Sequence, residues 1–348
     1  MHYLSAIKSK ALKNKICLLR LDFNTEDNWR MDASLPTIRF LLARCKSVVI
    51  LSHKGRPRGF SAQGGPAGGW DDSLSLRPVS KILSRKLKKK VIFVPHFRFQ
   101  EIGNLLKSSP NGSIFLLENL RFLEGEAENS AILAEHLSGL GDLYVNDAFA
   151  VSHRANASVV AITKFLPSYA GLELEKEIQQ LSQAIKNPKK PLVVVLGGLK
   201  IEDKLRVVDN LRPKSPVFLV GGMLTDELIH KLNNAELVLP VDFKKDGETN
   251  RDIGPETVKK FCKIIKGAKT IIWNGPVGDI RDRRFKKGTI EIAKCVASKK
   301  FSIVGGGETV MFIKKLKLDK KISFISTGGG AMLDFLAGRE LPGIKALE

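Results

Sequence analysis

Eleven short apolar segments recur along this chain of 348 residues, and most are followed by a stretch of helical length and pattern. A continuous apolar run suits a β-strand that is covered on both faces, and helices between such strands suit parallel crossover connections. The pattern predicts an α/β fold with doubly wound parallel sheets. The segments, each with the number of its first residue, are ICLLRLDF (16), SVVILSH (47), VIFVPHF (91), SIFLLENLRF (113), DLYVNDAF (142), PLVVVLGG (191), PVFLVGG (216), AELVLPVDF (235), TIIWNGP (270), FSIVGGG (301) and ISFISTGGG (322).

The residues that follow these segments change in kind near residue 165. In doubly wound sheets, ligands lie beyond the carboxyl ends of the strands. The first five segments end in Arg, His, Asp and Asn, whereas most of the later ones end in glycines. Because the chain is also longer than one core usually fills, we predict two domains: residues 1–165, which bind a compact polyanion, and residues 166–335, which bind a phosphate tail. A helix that begins near Ala170 is expected to connect them.

Five arginines of the first domain stand near the ends of different strands. Each alone is compatible with an ordinary surface position. As a convergent group they would repel one another, which favours an anion between them. His53 and His153 lack the partner spacing of a catalytic or metal site, so we interpret them as anion contacts or structural residues. The arginines are Arg20, Arg30, Arg56, Arg121 and Arg154.

In the second domain, the segment VVVLGGLKIEDKL (193–205) ends a strand on two glycines and then presents Lys200 and Lys204. Glycines let a phosphate approach backbone N–H groups, and ammonium groups meet its charge. The segment is not the G-x-x-x-x-G-K-[ST] loop of many nucleotide-binding proteins. A single glycine after a strand is more often a simple turn. Several glycine-rich loops in one domain nevertheless favour a phosphate site.

The net charge of +21 arises from 57 Lys and Arg against 36 Asp and Glu. Such a basic chain suits nucleic acid, anionic small substrates or simply a solvated surface. Its lysines are spread in short bursts such as KLKKK (86–90) and KKLKLDKK (314–321), and only three Trp and three Tyr are available to stack on bases. We therefore expect anionic small molecules as the main partners, and not nucleic acid.

The cysteines and the apolar segments indicate the compartment. The four cysteines stand alone, without a C-x-x-C pair or a zinc spacing, which fits a reducing cytoplasm. The first residues lack a long apolar core, and no later stretch reaches the ~18 apolar residues of a membrane span. We expect a protein that is neither secreted nor embedded in a membrane. The cysteines are Cys17, Cys45, Cys262 and Cys295.

A series of motifs, in order, is similar to the phosphoglycerate kinase family nearly from end to end. The resemblance implies two Rossmann-like lobes joined by a long helix, with the tail 336–348 packed back on the first lobe. It also implies phosphoryl transfer between 1,3-bisphosphoglycerate and ADP, giving 3-phosphoglycerate and ATP, with lobes that close about hinges around 165–172 and 326–336. The motifs are RLDFN, LPTI, VVILSHKGRPRG, LLENLRF, YVNDAFAVSHRA, LGGLKIEDKL, LPVDF, DIGPET, IIWNGPVG, IVGGGET and ISTGGGAMLDFLAGRELPG.

By this resemblance, the first lobe binds 3-phosphoglycerate. Asp22 and Asn24 hold the glycerate hydroxyl and carboxyl end, and Arg30 faces the migrating phosphoryl group. A clamp of arginines aided by a histidine holds the other phosphate, because the guanidinium fork matches phosphate oxygens. That clamp consists of Arg56, Arg121, Arg154 and His53. The complete set expected to bind this substrate is Asp22, Phe23, Asn24, Arg30, His53, Lys54, Gly55, Arg56, Arg121 and Arg154.

The second lobe, by the same resemblance, binds ADP or ATP with Mg²⁺. Arg30, Lys200 and Lys204 are the expected catalytic residues. Phosphoryl transfer through a loose transition state needs in-line placement and charge neutralisation, so no nucleophilic side chain is required. Glu308 is expected to meet the nucleotide-bound Mg²⁺. The nucleotide-binding set is Gly198, Lys200, Lys204, Gly221, Gly222, Asn274, Pro276, Gly278, Gly306, Gly307, Glu308, Thr309, Gly328 and Gly329.

Departures from the family pattern collect in the second lobe. Glu308 stands where the family has Asp, Arg281 stands where a Glu meets the ribose, and Arg251 stands where an apolar residue touches the base. Only fifteen residues separate GGM (221–223) from LPVDF (239–243), fewer than the family usually has. We expect the adenine slot to be open, basic and less selective.

Three functions stay open at this stage. The complete substrate set of the first lobe favours an active kinase of this family, working as a cytoplasmic monomer. Glu308, Arg281 and the high net charge favour a degenerate homologue that keeps the glycerate site and binds anions or nucleic acid. The third is transfer from a nucleotide to a different small carboxylate. Turnover in the presence of Mg²⁺ separates the first from the second.

Overall fold

The structure is a computed structural model, and it describes residues 1–25, 28–57, 71–198, 201–222 and 237–348. The chain divides into two compact units. Unit 1 comprises Met1–Lys176 and Glu340–Glu348, and unit 2 comprises Glu177–Arg339. Both crossings between the units lie later in the chain than the predicted boundaries at 165/166 and 335/336. The first crossing falls inside a helix, Leu172–Lys186.

Unit 1 is built on one sheet of six parallel strands. They are β1 (Ile16–Arg20), β2 (Ser47–Leu51), β3 (Val91–Val94), β4 (Ser113–Leu117), β5 (Leu143–Asn146) and β6 (Ser168–Ala170). Their spatial order is β3-β4-β2-β1-β5-β6. The side chains of β2 are all buried, as expected for a central strand covered on both faces. All carboxyl ends of a parallel sheet lie at one edge, so the loops after these strands are brought together.

Unit 2 repeats this plan with a second sheet of six parallel strands and adds an antiparallel hairpin. The strands are β7 (Leu192–Leu196), β8 (Val217–Val220), β9 (Leu237–Val238), the hairpin β10 (Phe243–Asp246) and β11 (Thr249–Ile253), β12 (Thr270–Asn274), β13 (Ser302–Gly305) and β14 (Phe324–Ile325). The sheet has the order β14-β13-β12-β7-β8-β9. β7 and β12 form its centre, and every one of their side chains is buried.

Helices connect the strands and cover the sheets. They are α1 (Ser9–Leu12), α2 (Trp29–Leu42), α3 (Arg77–Leu87), α4 (Phe99–Ser108), α5 (Ala131–Ser138), α6 (Leu172–Lys186), α7 (Ile201–Leu211), α8 (Pro255–Gly267), α9 (Lys287–Ala297), α10 (Gly307–Lys315), α11 (Gly330–Leu336) and α12 (Pro342–Lys345). In α6, Glu173 and Glu175 lie in the first turn and Lys186 in the last, as the helix dipole favours. Among the described helices, none has both the length and the apolar character that crossing a membrane requires.

The predicted doubly wound parallel α/β fold is confirmed, because each of the eleven apolar segments contains a strand of one of the two parallel sheets. β6 was not predicted, because it is only three residues long and partly exposed. The hairpin of β10 and β11 was not predicted either, because its side chains are mostly polar and those of β10 are mostly exposed. Short or polar strands lack the apolar run on which the prediction depends.

The C-terminal residues pack against unit 1. The backbone N–H of Gly343 donates to the carbonyl oxygen of Ser152 at 2.8 Å, and Nδ2 of Asn146 donates to the carbonyl oxygen of Gly343 at 3.3 Å. A Cβ atom at position 343 would overlap Val159 and the backbone of Ser152. The glycine of the LPG motif therefore permits the tail to lie directly on the loop after β5.

The cysteines differ from the expectation that all four stand alone. Cys262 of α8 and Cys295 of α9 form a disulfide with a Cα–Cα distance of 5.8 Å. The prediction is therefore wrong for this pair. Cys17 and Cys45 are free and buried. The two bonded cysteines are 33 residues apart and meet because α8 and α9 pack side by side, which no local spacing reveals.

Candidate active site

Polar residues that follow β1 and β2 in the sequence form a hydrogen-bonded chain at the carboxyl edge of the sheet of unit 1. Oδ2 of Asp22 accepts a bond of 2.7 Å from Nη1 of Arg30, in the first turn of α2. Oδ1 of Asp22 accepts the backbone N–H of Asn24, and Oδ1 of Asn24 accepts the backbone N–H of Gly55 at 2.7 Å. These bonds tie together the ends of two neighbouring strands.

His53 is buried beside this chain of hydrogen bonds. Its Nδ1 lies 3.1 Å from Nη2 of Arg20, and its Nε2 lies 3.9 Å from Oδ1 of Asp22. Because a guanidinium can only donate, Nδ1 accepts and the neutral ring carries its proton on Nε2. Burial lowers the pKa of His53 well below its usual value, and surrounding cations lower it further. Those cations are Arg20, Arg121, Arg154 and Arg30.

Three arginines line a cavity of about 380 Å³ in unit 1: Arg56 after β2, Arg121 after β4 and Arg154 after β5. Burial, followed by the charges of Arg154 and Arg20, lowers the pKa of Arg121 to about 10. Burial and then Arg56 lower the pKa of Arg154. Because the charge of one arginine lowers the pKa of the next, these cations are close enough to repel, and the cavity suits an anion.

Arg20 differs from these arginines because it is fully buried. Its Nε donates to Oγ of Ser158 at 2.8 Å, and its Nη2 lies 3.8 Å from Oε1 of Glu126, which is also buried. Arg20 therefore supports His53 from the interior and does not line the cavity. Glu126 was not predicted from the sequence. Nothing in LEGEAE distinguishes it from exposed Glu124, and only the tertiary structure places it opposite Arg20.

Other predicted residues of unit 1 line a second cavity of about 650 Å³. Nζ of Lys54 donates to the carbonyl oxygen of Ser73 at 3.1 Å, so it is already bonded within unit 1. The backbone N–H of Phe23 donates to Oγ of Ser52. Asp22, Arg30 and His53 are not among the residues that line either cavity. The predicted residues of the second cavity are Phe23, Asn24, Lys54 and Gly55.

In unit 2, loops at the carboxyl edge of the sheet line a cavity of about 280 Å³. Five of the predicted nucleotide-binding residues lie there: Gly198, Gly222, Pro276, Gly278 and Glu308. The charged residues noted as departures from the family pattern lie there as well. The remaining lining residues are Arg251, Asp279, Ile280 and Arg281, of which Ile280 carried no signal in the sequence.

Two glycine loops of this cavity pack directly against each other. The backbone N–H of Gly198 donates to the carbonyl oxygen of Pro276 at 2.8 Å. A Cβ atom at Gly197 would overlap that same oxygen, and a Cβ atom at Gly275 would overlap the carbonyl oxygen of Gly197. The glycines of LGGLK and WNGP are therefore required by loop packing, independently of any ligand.

Two lysines, Lys200 and Lys204, follow the first glycine loop. Lys200 lies outside the described residues. Lys204 lies in the first turn of α7 and is 3% exposed. Its Nζ donates to the carbonyl oxygen of Gly197. The ammonium group of Lys204 therefore lies against the glycine loop, on the inner side of unit 2.

Two ion pairs border the cavity of unit 2. Nη2 of Arg281 lies 2.6 Å from Oε1 of Glu308, and Nη2 of Arg251 lies 2.8 Å from Oδ2 of Asp279. The side chains of Arg281 and Glu308 are 75% and 55% exposed, so their pairing stabilises the fold little. Within the described part of the chain, no group of three or more His, Cys, Asp or Glu could hold a metal ion.

Two further glycine loops of unit 2 lead into helices. Gly306 precedes α10 with a φ of 91°, and Gly329 precedes α11 with a φ of 53°, a backbone region that favours glycine. The hydroxyl of Thr309 is buried and has no hydrogen-bond partner in the described residues. The predicted residues at this edge that do not line the cavity are Gly221, Asn274, Gly306, Gly307, Thr309, Gly328 and Gly329.

The family profile described as "Phosphoglycerate kinase" matches residues 7–237 and 223–339 of this chain. The phosphoglycerate kinase of Thermosipho africanus is 37% identical over 398 positions, which cover 98% of this chain and 97% of the relative. That of Coprothermobacter proteolyticus is 35% identical over 396 positions, which cover 99% and 98%.

Solved structures of phosphoglycerate kinases are also similar to this chain. The phosphoglycerate kinase of Coxiella burnetii matches with a TM-score of 0.81 and 32% identity, over 99% of this chain and 98% of that chain. The enzyme of Pyrococcus horikoshii OT3 matches with a TM-score of 0.86 and 30% identity, over 100% and 98%. The chain belongs to the phosphoglycerate kinase family. Membership confirms the predicted family, the phosphotransferase class and a nucleotide among its small-molecule substrates.

The chain is a short member of the phosphoglycerate kinase family. Its alignment to the Thermosipho africanus enzyme spans 398 positions, so at least 50 of them, the difference from 348, have no residue here. The two matched profile segments overlap at 223–237. This overlap indicates that part of the shortening falls between the motifs GGM and LPVDF. Most of that stretch lies outside the described residues.

Proposed function

We propose that this chain catalyses reversible phosphoryl transfer between 1,3-bisphosphoglycerate and ADP, giving 3-phosphoglycerate and ATP. Unit 1 is the glycerate lobe and unit 2 the nucleotide lobe of this proposal. The observation that carries it is the meeting of Arg56, Arg121 and Arg154 around one cavity of unit 1. The charge of Arg154 lowers the pKa of Arg121 and that of Arg56 lowers the pKa of Arg154, so a compact dianion such as a phosphate monoester would stabilise the three cations.

In this proposal, those arginines hold the phosphate that is not transferred. Guanidinium forks match phosphate oxygens, and neutral His53 adds an N–H donor without adding charge. Asp22 and Asn24 lie at the end of β1, where they are proposed to hold the hydroxyl and carboxyl end of the glycerate. Their own bonds to Arg30 and Gly55 keep them in place before substrate arrives.

Arg30 is the proposed catalytic cation of unit 1. Its Nη1 is held by Asp22 at 2.7 Å, whereas its buried Nε has no acceptor among the described residues. A buried N–H without an acceptor is costly, and an oxygen of the migrating phosphoryl group would satisfy it. Because charge spreads over the equatorial oxygens in the transition state, a fixed cation there lowers the barrier.

In unit 2, the bare backbone of the loops at Gly198, Gly222 and Gly278 is proposed to accept the phosphate chain of ADP or ATP. Lys204 lies against the glycine loop and would act on the phosphates through its charge. Lys200 completes the proposed catalytic set with Arg30 and Lys204. Half-buried Arg251 and exposed Arg281 make the remainder of the cavity basic, so we propose that guanine and hypoxanthine nucleotides are also accepted.

Mg²⁺ on the nucleotide is part of the proposal, with Glu308 as its protein ligand. The residues fit such an ion, because Mg²⁺ takes most of its ligands from phosphates and water and needs only one or two carboxylates. When bound, the ion neutralises phosphate charge. Glu308 must give up Arg281 to serve it, and an exposed ion pair exchanges readily. We propose a cytoplasmic monomer as the working form.

A second candidate is a homologue that binds anions without turnover. The pairing of Glu308 with Arg281 favours it, since the carboxylate proposed for Mg²⁺ already has a cationic partner. The test is an assay in which 1,3-bisphosphoglycerate formed from ATP and 3-phosphoglycerate is consumed with oxidation of NADH. We expect Mg²⁺-dependent turnover that is lost in Lys200→Ala. Absence of turnover with ATP, GTP and ITP, together with calorimetric binding of 3-phosphoglycerate, would establish the second candidate.

A further inference from the structure

The edge of unit 2 at which the strands begin, opposite the candidate nucleotide site, is strongly basic. Four neighbouring strands, in the order β14-β13-β12-β7, are each preceded by lysine. We call these residues the lysine edge. They are Lys189, Lys190, Lys269, Lys299, Lys300, Lys320 and Lys321.

Hydrogen bonds hold the segments of the lysine edge side by side. The backbone N–H of Lys269 donates to the carbonyl oxygen of Pro191 at 2.9 Å, and Oγ1 of Thr270 donates to the carbonyl oxygen of Lys189 at 2.8 Å. Oγ of Ser323 donates to the carbonyl oxygen of Lys300 at 2.8 Å. The backbone N–H of Ile271 donates to the carbonyl oxygen of Phe301 at 3.1 Å and joins these two pairs, so the four segments are fixed as one surface within unit 2.

A cavity of about 590 Å³ opens in the lysine edge. Lys189, Lys269, Lys299 and Lys300 line it, and none of the lining residues is acidic. In the described part of the chain, none of these four lysines forms an ion pair with a carboxylate. The acidic residue of these segments, Asp319, is engaged by Lys314 at 3.9 Å. The positive charge of the cavity is thus uncompensated by the protein.

The lysine edge holds a substantial part of the positive charge of unit 2. Unit 2 has 31 Lys and Arg against 18 Asp and Glu, and seven of these lysines lie at this edge. Helix C termini favour nearby cations, which accounts for Lys186 and Lys266 at the ends of α6 and α8. It does not account for the lysine doublets that stand beyond the helices. Such a concentration without counter-charge is the footprint of a polyanion site.

We propose that the lysine edge binds the phosphate backbone of single-stranded nucleic acid without reading its bases. Neighbouring strands are about 4.8 Å apart, so the four lysine segments span about 14 Å, enough for a few consecutive phosphates. Lysine acts on phosphate as a point charge, and the cavity has no arginine fork for base edges. Its only aromatic residue is Phe301.

The shape and composition of the lysine edge favour a strand over a membrane. A concave basic cavity receives a chain, whereas a bilayer is flat. Among the described residues, the large apolar side chains that are exposed all lie elsewhere, so nothing here would insert into lipid. Those side chains are Leu105, Ile132, Phe165 and Val241.

The test uses the full chain and a labelled oligothymidylate of about 20 nucleotides, followed by fluorescence anisotropy at roughly 50 to 200 mM salt. The variant Lys189→Gln, Lys269→Gln, Lys300→Gln removes three exposed cations but keeps Lys299, whose Nζ donates to the carbonyl oxygen of Lys266. We expect affinity at the lowest salt to fall about 100-fold and the salt slope to fall by about 2. The same three lysines changed to Arg should restore binding.

The matched control is Lys88→Gln, Lys89→Gln, Lys90→Gln in unit 1, which changes the net charge equally. It should alter affinity less than about 3-fold, and both triple variants should keep wild-type kinase turnover. Equal losses in the two variants would show that net charge alone drives binding and would overturn the proposal. So would wild-type binding that is independent of salt, or a lysine-edge variant that keeps oligonucleotide affinity but loses binding to phosphatidylserine vesicles.

Discussion

The two proposed phosphate sites differ in how they are built. That of unit 1 consists of charged side chains on a buried support, in which Arg20 contacts both Glu126 and His53. Unit 2 uses bare backbone loops, and the charged groups of its cavity, such as Arg281 and Glu308, are exposed. A buried ionic support is expensive to alter, because removing one partner leaves an uncompensated charge. An exposed pair can change with little loss of stability.

This contrast fits where the sequence predicts departures from the family pattern. The predicted departures at Arg251, Arg281 and Glu308 all line the cavity of unit 2. Positions whose side chains face water tolerate exchange. Positions whose side chains hold one another in the interior do not.

The largest expected effect tests the buried support of unit 1. Glu126→Gln leaves Arg20 without its counter-charge and should lower the free energy of unfolding by about 3 kcal/mol. It should also weaken 3-phosphoglycerate binding, because Arg20, which contacts His53, loses its buried counter-charge. Urea denaturation and calorimetry measure the two effects. Exposed Glu124→Gln in the same loop is the control, and destabilisation of equal size in both variants would contradict the contrast.

The next effect separates two arginines of unit 1. Arg30→Ala should lower kcat about 100-fold with little change in KM for 3-phosphoglycerate, because the charge it meets develops in the transition state. Arg121→Ala should mainly raise that KM, since its proposed phosphate is not transferred. Steady-state kinetics with exposed Arg39→Ala, on the same helix as Arg30, provides the control. Equal changes in both parameters in both variants would refute this division of roles.

Two carboxylates that cap helices, one in each unit, are expected to make the stability of the two units depend on pH in different ways. Asp147 of unit 1 accepts the backbone N–H groups of Glu173 and Leu174 in α6, and burial raises its pKa to about 6. Asp242 of unit 2 accepts those of Glu256 and Thr257 in α8. Burial acts to raise the pKa of Asp242, but a bond of 2.6 Å from the Thr257 hydroxyl, together with these backbone bonds, outweighs it and lowers the pKa below its usual value.

The signs of the two pH effects are opposite. Asp147 binds its proton more tightly when folded, so its contribution to stability falls as pH rises from about 4 to about 6, by about 2 kcal/mol. Asp242 contributes stability above about pH 4 that is lost as pH falls through its lowered pKa. Urea unfolding of Asp147→Asn and Asp242→Asn against the wild type between pH 3 and 7 measures both. Differences of the same sign would contradict the role of burial.

The smallest effect concerns the exposed pair of unit 2. Arg281→Gln frees Glu308 and should lower the Mg²⁺ concentration needed for half-maximal ADP binding by about two- to five-fold. Isothermal calorimetry at several Mg²⁺ concentrations measures it. Arg284→Gln is the matched control, because Arg284 pairs with Asp282 and Asp246 and not with Glu308. A higher Mg²⁺ requirement in Arg281→Gln would show that the arginine assists the nucleotide and does not compete for the carboxylate.

The fold was predictable wherever a strand is buried on both faces, because such a strand appears in the sequence as a continuous apolar run. The apolar runs of β7 and β12 are strands because both faces of each are covered. The hairpin of β10 and β11 escaped prediction because exposed polar strands carry no such run. The disulfide between Cys262 and Cys295 escaped because it depends on two helices packing side by side. In the candidate site, Arg56, Arg121 and Arg154 were visible as charges after strands, but buried Glu126 was not.

Sequence alone was sufficient for the family, the parallel α/β class and the strand ends that carry polar or glycine-rich loops, because these depend on residue type and order along one segment. The tertiary structure decided which of those residues are buried, which are paired and which are free to meet a ligand. It assigned Arg20 to the interior, Gly197 to loop packing and the scattered lysines of unit 2 to one edge. Such outcomes depend on strand order in the sheet, which brings distant segments together and sets the local dielectric that each charge experiences.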